Sequence, residues 1–425
     1  MIDVDVVQVY RNKKLHFAAI VVFVLILILT GTYFRNRPGG GVPTIDWLVI
    51  ARLIACTAAF LVGILLLLKR ITWGFGTCAL TLYVLAAGLS AVFSEYPLVV
   101  GGYVLLLLGT SVLMMALVHY ANSAEELAKI ERIWFLTICV LVVKDTMTYL
   151  MFPDMRPSGE DDIGRLGMGV THPTQLSLYA VILFWLSFNS SRIGTNLLIW
   201  LWRVFLILVI LAARSRGPMM AFAVGALFYS VFSGRERTKR WIISLGIVLA
   251  ISALFVLSLE LEQNWAGNIS EYMKRGQDAE GLSSFTGRTF VWQNALRISA
   301  DSPLIGHGYG ISKVTLGESL YDEYHSSHAH NEILESLVTT GLVGLIPLLM
   351  MMSYSLLWII DHGRLRRVFS KDISIHALCL VVILIMSSFT ESWITTRISP
   401  VQPLFFFYLL ILDRRRDITI SDRDG

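Results

Sequence analysis

The chain has 425 residues, of which 55% are apolar and 16% are charged, and its mean hydropathy is +0.65. Soluble domains carry about a quarter charged residues, so this composition excludes an ordinary soluble protein and indicates an integral membrane protein. The net charge of +4 comes mostly from basic clusters that flank apolar stretches, which argues against a nucleic-acid partner.

Apolar stretches recur in chain order, each close to the roughly 20 residues that a helix needs to cross a bilayer. We predict an all-α polytopic membrane protein with about twelve transmembrane helices. The predicted spans are Leu15–Phe34, Trp47–Leu68, Ile71–Phe93, Leu98–His119, Ile133–Phe152, Thr174–Phe188, Leu197–Ala213, Pro218–Phe232, Trp241–Leu259, Leu342–Ile360, Ile373–Phe389 and Val401–Leu412. The cysteines fall inside these stretches without paired spacing, which predicts neither a disulfide nor a zinc knuckle: Cys56, Cys78, Cys139 and Cys379.

Lysine and arginine mark the predicted orientation, because cytoplasmic loops carry an excess of both. Basic residues precede the first span, follow the last span and occupy alternate loops between them: Arg11, Lys13, Lys14, Lys69, Arg70, Lys129, Arg132, Arg235, Arg237, Lys239, Arg240, Arg364, Arg366, Arg367, Lys371, Arg414, Arg415 and Arg416. Both termini are therefore expected in the cytoplasm. The first apolar stretch is long and lacks a clear cleavage site, so we interpret it as a retained helix.

One loop is far longer than the others and locates the predicted site. Glu260 to Gly341 is a polar segment between the ninth and tenth spans, whereas usual connections have about 4–6 residues. The orientation places this loop in the periplasm. The predicted division is residues 1–14 as a cytoplasmic tail, 15–259 as spans one to nine, 260–341 as the periplasmic loop, 342–412 as spans ten to twelve and 413–425 as a second cytoplasmic tail.

Arginines at the outer side run against the positive-inside trend. The turn "AARSRGPMM" holds Arg214 and Arg216, and "FTGRTFVWQNAL" in the long loop carries Arg288 at the start of a predicted short helix. A guanidinium group donates two parallel hydrogen bonds to phosphate oxygens, and a helix N-terminus adds free N–H donors. This pattern therefore favours an anion-binding site. The alternative is that Arg288 is a solvated loop charge. Charges at span ends are costly unless they pair, reach water or serve a site, which keeps Arg214 and Arg216 as candidates.

The stretch "YHSSHAHNEILESL" places His325, His328 and His330 within a few residues. These histidines lack the i, i+4 helical spacing of a metalloprotease pair, although an extended segment turns His328 and His330 to one side. Nearby acids leave a metal site open as one interpretation: Asp322, Glu323, Glu332 and Glu335.

A catalytic base is the interpretation that we favour for His330. Asn331 is a good N-cap residue, Glu332 and Glu335 suit a first helical turn, and apolar residues follow at helical spacing up to Gly341. His330 thus lies just ahead of an amphipathic helix. A neutral imidazole there is able to take a proton from an incoming hydroxyl at physiological pH. The alternative is that His330 only packs against the helix or caps it.

Three motifs in the second half of the chain carry a resemblance. "SRGPMMAFAVG", "TGRTFVWQNALRI…SPLIGHGYG" and "HAHNEILESLVTTGLVGL" occur in this order. Together with about twelve spans and one large periplasmic loop, they resemble the bacterial superfamily of O-antigen ligases and O-antigen and exopolysaccharide polymerases. The first part of the chain resembles that superfamily only in hydropathy.

The resemblance implies a metal-independent glycosyltransferase at the periplasmic face of the inner membrane, with an undecaprenyl-diphosphate-linked glycan as donor. Carried over by motif, Arg216 and Arg288 would hold the donor diphosphate, with Arg214 sharing or exchanging that role, and His330 would deprotonate or position the acceptor hydroxyl. No cofactor and no metal are expected. The remaining residues are candidates for the surrounding pocket: His325, His328, Asn331, Glu332 and His172.

Two questions stay open at this point. The acceptor is either a growing glycan, as for a polymerase, or lipid A–core, as for a ligase, and the motif forms favour the polymerase slightly. A chain-length regulator or other polysaccharide-assembly proteins are the expected partners. A multi-span transporter of polysaccharide or lipid is the alternative of another class, although its long loop is expected in the middle of the chain.

Overall fold

The computed structural model describes residues 4–31, 46–68, 71–121, 123–152, 166–167, 171–189, 197–232, 288–317, 328–360, 371–396 and 399–413. Within these ranges the chain forms helices and no strands. The helices are α1 Val4–Gly31, α2 Trp47–Leu67, α3 Phe75–Phe93, α4 Pro97–Tyr120, α5 Ala124–Met151, α6 Pro173–Asn189, α7 Leu197–Ala212, α8 Arg216–Phe232, α9 Arg288–Asp301, α10 Ser312–Gly317, α11 Glu332–Ile360, α12 Lys371–Ser388 and α13 Val401–Ile411.

Each predicted span coincides with one of these helices, except the ninth, Trp241–Leu259, which lies outside the described residues. Among the described residues, six helical segments are long and apolar enough to cross a membrane: Lys14–Gly31, Trp47–Leu67, Phe75–Phe93, Pro97–Tyr120, Ala124–Met151 and Glu332–Leu357. Further apolar helices are shorter: Pro173–Phe188, Leu197–Ala212, His376–Ser388 and Val401–Ile411. The chain is thus a multi-pass helical membrane protein. The count of about twelve spans and the division around the long loop stay predictions.

The core lies around α13, all of whose residues are buried. The second half of α4 is buried as well, and α12 packs against α8 and α6. Peripheral helices such as α2, α5 and α7 expose large apolar side chains, including Leu61, Val140 and Leu208. In a membrane protein such a surface faces lipid, while every helical backbone satisfies its own hydrogen bonds.

Polar side chains gather at the two ends of the bundle. At one end Asp413, just after α13, accepts hydrogen bonds from the backbone N–H groups of Gly76 (3.0 Å) and Thr77 (2.6 Å), which caps the start of α3. At the other end the starts of α6, α8, α9 and α11 meet the segment that follows α12. We call this second region the site end, because it holds the candidate residues described below.

A kink in α11 shapes the site end. Gly341 has φ 61°, a left-handed conformation that suits glycine, and the helix changes direction there. The segment Pro303–Gly308 supplies the hydrogen bonds that the kink disrupts. His307 N donates to Val338 O (2.9 Å), while Leu342 N donates to Pro303 O (2.9 Å). The motif "SPLIGHGYG" therefore serves as a backbone brace for α11.

Candidate active site

The loop before α11 is held in a defined conformation. Asn331 Oδ1 accepts from the N–H groups of Ile333 (3.0 Å) and Leu334 (3.3 Å), which confirms the predicted N-cap. Ala329 is fully buried, and its N–H donates to Glu335 Oε2 at 2.7 Å. These bonds fix the chain on both sides of the histidine that the sequence analysis singled out.

His330 itself has φ 50°, a conformation that residues other than glycine seldom adopt. Such a backbone persists only where surrounding contacts hold it. Trp292, on α9, supplies one of these contacts, because its Nε1–H donates to the carbonyl oxygen of Ala329 at 3.0 Å. The helix that begins at Arg288 is thereby joined to the histidine loop. The sequence predicted this helix, and the structure shows it from Arg288 to Asp301.

The site is centred on Glu391, for which the sequence predicted no role. Its carboxylate lies 3.1 Å from His328 Nε2, 3.2 Å from His330 Nδ1 and 3.4 Å from an Arg288 guanidinium nitrogen. The side chain is only 12% exposed. Glu391 follows the end of α12, where its N–H donates to Ser387 O at 2.9 Å. A charged residue at the end of an apolar span was the signal that could have identified it.

Glu391 is ionised at physiological pH. Burial alone raises the pKa of its carboxyl, but the nearby imidazoles of His330, His328 and His172 lower that pKa to about 2. An anionic carboxylate in this position accepts hydrogen bonds from both imidazoles and attracts the Arg288 guanidinium. The histidines and the arginine are therefore organised around one negative charge.

Glu332 holds the backbone that carries Glu391. Its buried carboxylate accepts from the N–H groups of Trp393 (2.7 Å), Ile394 (3.0 Å) and Thr395 (2.6 Å). Tyr309, in the "GHGYG" motif, adds a second anchor, since its hydroxyl donates to Ile394 O at 2.8 Å. The structure thus places Glu332, predicted only as a pocket residue, as a support of the Glu391 segment.

The turn between α7 and α8 reaches the same end. Arg214 has φ 48° and lies in the turn after α7, and Arg216 begins α8. At Gly217, the next residue, an added Cβ would lie 2.6 Å from the Thr390 hydroxyl oxygen. The absent side chain therefore lets the start of α8 contact the residue that immediately precedes Glu391.

His172 lies at the start of α6, close to this turn. The neighbouring helices are joined by a hydrogen bond from Ser215 Oγ to Thr174 Oγ1, 3.0 Å long. His172 is exposed and near enough to Glu391 to lower its pKa.

The structure therefore brings most of the predicted site residues together. His328, His330 and Arg288 contact Glu391 directly, and His172 acts on it through charge. Gly217, the residue after Arg216, lies against Thr390, the residue before Glu391. Asn331 and Glu332 support the backbone. His325 lies outside the described residues. The catalytic and diphosphate-binding roles of these residues stay predictions.

The same cluster has the composition of a metal site. One ligand atom each from His328, His330 and Glu391 lie within 4.8 Å of one another. The metal interpretation of the sequence had joined His328 and His330 with His325 instead. The expectation that catalysis uses no metal stays a prediction.

Comparison with known proteins adds independent information. Residues 202–349 match the model of the O-antigen ligase family. This range contains Arg214, Arg216, Arg288 and His330, and it ends before Glu391. The match favours a glycosyl-transfer enzyme over a transporter.

A curated relative matches part of the chain. It is the exopolysaccharide production protein ExoQ of Rhizobium meliloti (strain 1021), which is 32% identical over 152 residues. The matched part is 32% of this chain and 34% of the relative, so the chain spans about a third of the relative's length. These two matches confirm the resemblance of the chain to the superfamily of O-antigen ligases and O-antigen and exopolysaccharide polymerases.

Proposed function

We propose that this protein transfers an undecaprenyl-diphosphate-linked glycan to an acceptor hydroxyl, as an O-antigen or exopolysaccharide polymerase. The observation that supports the proposal most strongly is the convergence of His330, His328 and Arg288 on the carboxylate of Glu391. An imidazole can act as base for the acceptor hydroxyl, and a neighbouring guanidinium can bind the diphosphate of the donor.

His330 is the general base in this proposal. Its Nδ1 lies 3.2 Å from an ionised carboxylate that accepts hydrogen bonds, so Nδ1 carries the ring proton in the neutral imidazole. Nε2 then keeps a lone pair. The arrangement follows the logic of a carboxylate that fixes the tautomer of a catalytic histidine. Glu391 orients the imidazole and stabilises the imidazolium that forms when Nε2 accepts a proton.

Arg288 and Arg216 bind the donor diphosphate. The Arg288–Glu391 contact of 3.4 Å is longer than the roughly 2.7–2.9 Å of a tight charge-assisted hydrogen bond. Arg288 is therefore oriented by Glu391, and its guanidinium, with five N–H donors, keeps donors for phosphate oxygens. Its position at the first residue of α9 adds the N–H groups of the helix start.

The chemical step is one displacement. Nε2 of His330 takes the proton of the acceptor hydroxyl, and the acceptor oxygen forms a bond to the anomeric carbon of the donor. The bond between that carbon and the phosphate oxygen breaks. Its electron pair leaves with undecaprenyl diphosphate, whose added negative charge the arginines stabilise. The imidazolium returns its proton to the diphosphate or to water.

The proposed topology places this site in the periplasm and both termini in the cytoplasm of a bacterium with an inner membrane. The basic loops support this orientation. A growing glycan is the acceptor, and a chain-length regulator is the proposed partner. The exopolysaccharide relative supports the polymerase, whereas the family description supports a ligase that joins the glycan to lipid A–core.

A glycan ladder from a deletion strain distinguishes these two acceptors. Loss of a polymerase leaves lipid A–core that carries a single repeat. Loss of a ligase leaves polymer attached to undecaprenyl diphosphate. We expect the first pattern, and an unchanged ladder would contradict both forms of the proposal.

A further inference from the structure

His328, His330 and Glu391, at the centre of the site, also carry the donor atoms of a metal site. His328 Nε2 and His330 Nδ1 face the same carboxylate at 3.1 and 3.2 Å, and the two imidazole centroids are 3.9 Å apart. All three side chains are mostly buried, with exposed fractions of 17%, 22% and 12% for His328, His330 and Glu391. Two imidazoles and one carboxylate thus converge on one small volume.

These distances match a transition-metal site. Zinc ligands lie at about 2.0–2.2 Å from the ion, so neighbouring ligand atoms of a tetrahedron are roughly 3.3 Å apart. From one carboxylate oxygen, Glu391 Oε2, the distances to His328 Nε2 (3.1 Å) and His330 Nδ1 (3.3 Å) are already close to that value. Imidazole nitrogens select zinc, copper or nickel over magnesium and calcium, which prefer oxygen ligands. Three protein ligands leave a fourth position open.

We propose that His328, His330 and Glu391 form a site for Zn²⁺, and that the bound ion inhibits glycan transfer. The inhibitory part rests on the proposed function of His330 as base. In the metal-free site the His330 proton is on Nδ1 and the lone pair of Nε2 is available. When Zn²⁺ binds Nδ1, the ring proton moves to Nε2, which can then no longer accept a proton from the acceptor hydroxyl.

In His328 the ring proton moves in the opposite direction. It leaves Nε2, which faces Glu391 and binds the ion, and moves to Nδ1. Glu391 enters the complex as a carboxylate, so the binding step moves protons within each ring and releases none. The complex keeps a net charge of +1 from the ion and the carboxylate, beside the fixed charge of Arg288. Arg288, now 3.4 Å from Glu391, opposes the ion, because it repels the cation and competes for the same carboxylate.

The test uses the purified full chain in detergent, stripped with EDTA, and Zn²⁺ alone as the ligand. Competition against a chromophoric chelator measures the affinity. We expect one Zn²⁺ per chain, and a loss of affinity of about 100-fold or more in His328→Ala and Glu391→Gln, because losing a ligand costs more than the 10–100-fold of an outer partner. His172→Ala is the matched control, since this histidine is near Glu391 but outside the three-residue set, and it should retain binding.

Arg288→Ala tests the site by an expected gain of Zn²⁺ affinity instead of a loss. Removing the competing charge should tighten Zn²⁺ binding by about tenfold or more, a result that a merely unfolded variant cannot give. Unchanged affinity in His328→Ala, Glu391→Gln and Arg288→Ala, or no binding by the wild-type chain, would overturn the site.

Transfer activity tests the inhibition separately. The stripped wild-type chain should transfer glycan, lose activity on addition of Zn²⁺ and recover it with EDTA. Activation by Zn²⁺ would overturn the inhibitory role, and Zn²⁺ binding without any effect on transfer would do the same. If the stripped chain shows no transfer under any condition, the proposed function fails, while the binding measurements still decide the metal site.

Discussion

Replacing Glu391 by glutamine removes one negative charge and changes little else in shape. In the wild-type site both carboxylate oxygens accept, with His328 at 3.1 Å, His330 at 3.2 Å and Arg288 at 3.4 Å. An amide keeps one accepting oxygen and presents an NH₂ donor in place of the other. At least one imidazole must then change its tautomer or turn away.

The expected cost follows from the loss of the oriented base. If glutamine places the proton of His330 on Nε2, the site loses the whole benefit of general-base catalysis, about 10²–10⁴-fold in turnover. This factor corresponds to roughly 3–5 kcal/mol of transition-state stabilisation. Glu391→Asp keeps the charge but shortens the side chain by one methylene, and should lose less than glutamine does.

Single-turnover assays with purified protein and lipid-diphosphate donor measure the effect. Glu131→Gln is the matched control, because Glu131 is also a carboxylate that accepts a hydrogen bond, from the Tyr408 hydroxyl, and it lies on α5, outside the elements that form the site end. We expect Glu131→Gln to turn over near the wild-type rate. Glu391→Gln at the same rate as the wild type would refute the role of Glu391 in orienting His330.

Three further predictions concern the donor site, the support of Glu391 and the topology. Arg288→Ala and Arg216→Ala should abolish transfer, and lysine at either position should restore only a little, because an ammonium lacks the planar fork; wild-type rates in the lysine variants would contradict the diphosphate role. Glu332→Ala leaves three buried N–H donors without their acceptor, at about 1–3 kcal/mol each, so its melting temperature in detergent should fall well below that of Glu332→Gln. In a background without native cysteines, a reagent outside spheroplasts should label a cysteine introduced at Ser284 and spare one at Ser421, and the reverse would contradict the orientation.

The features that the sequence predicted correctly depend on residues that lie close together along the chain. The apolar stretches predicted most helix boundaries within a few residues, but α1 starts at Val4 and not at Leu15, and α11 runs from Glu332 through the predicted span start at Leu342. The start of α5 also differs, at Ala124 and not at Ile133. The reason is the polar first turn, where Ser123 Oγ accepts from the N–H of Glu126 and extends the helix beyond its apolar part. Asn331 as an N-cap and Arg288 as a helix start were predicted for the same reason, since capping depends on neighbours along the chain.

The centre of the site could not be predicted in this way. Glu391 is 61 residues from His330 along the chain, and only the packing of α11 against α12 brings the two together. The backbone N–H groups that bind Glu332 are equally distant and leave no pattern in side-chain identity. The stretch "SPLIGHGYG" was recognised as a motif, but its role as a brace for the α11 kink depends on backbone contacts with Val338 and Leu342.

The central claim is that His330 acts as a base in metal-independent glycan transfer. Wild-type protein and His330→Ala, each purified and incubated in EDTA with undecaprenyl-diphosphate-linked repeat units, provide the most direct comparison. We predict longer glycan products from the wild-type protein, and turnover lower by about 10²–10⁴-fold in His330→Ala while donor binding is retained. Wild-type activity that disappears in EDTA and returns with a divalent ion, or His330→Ala turnover equal to that of the wild type, would contradict the account.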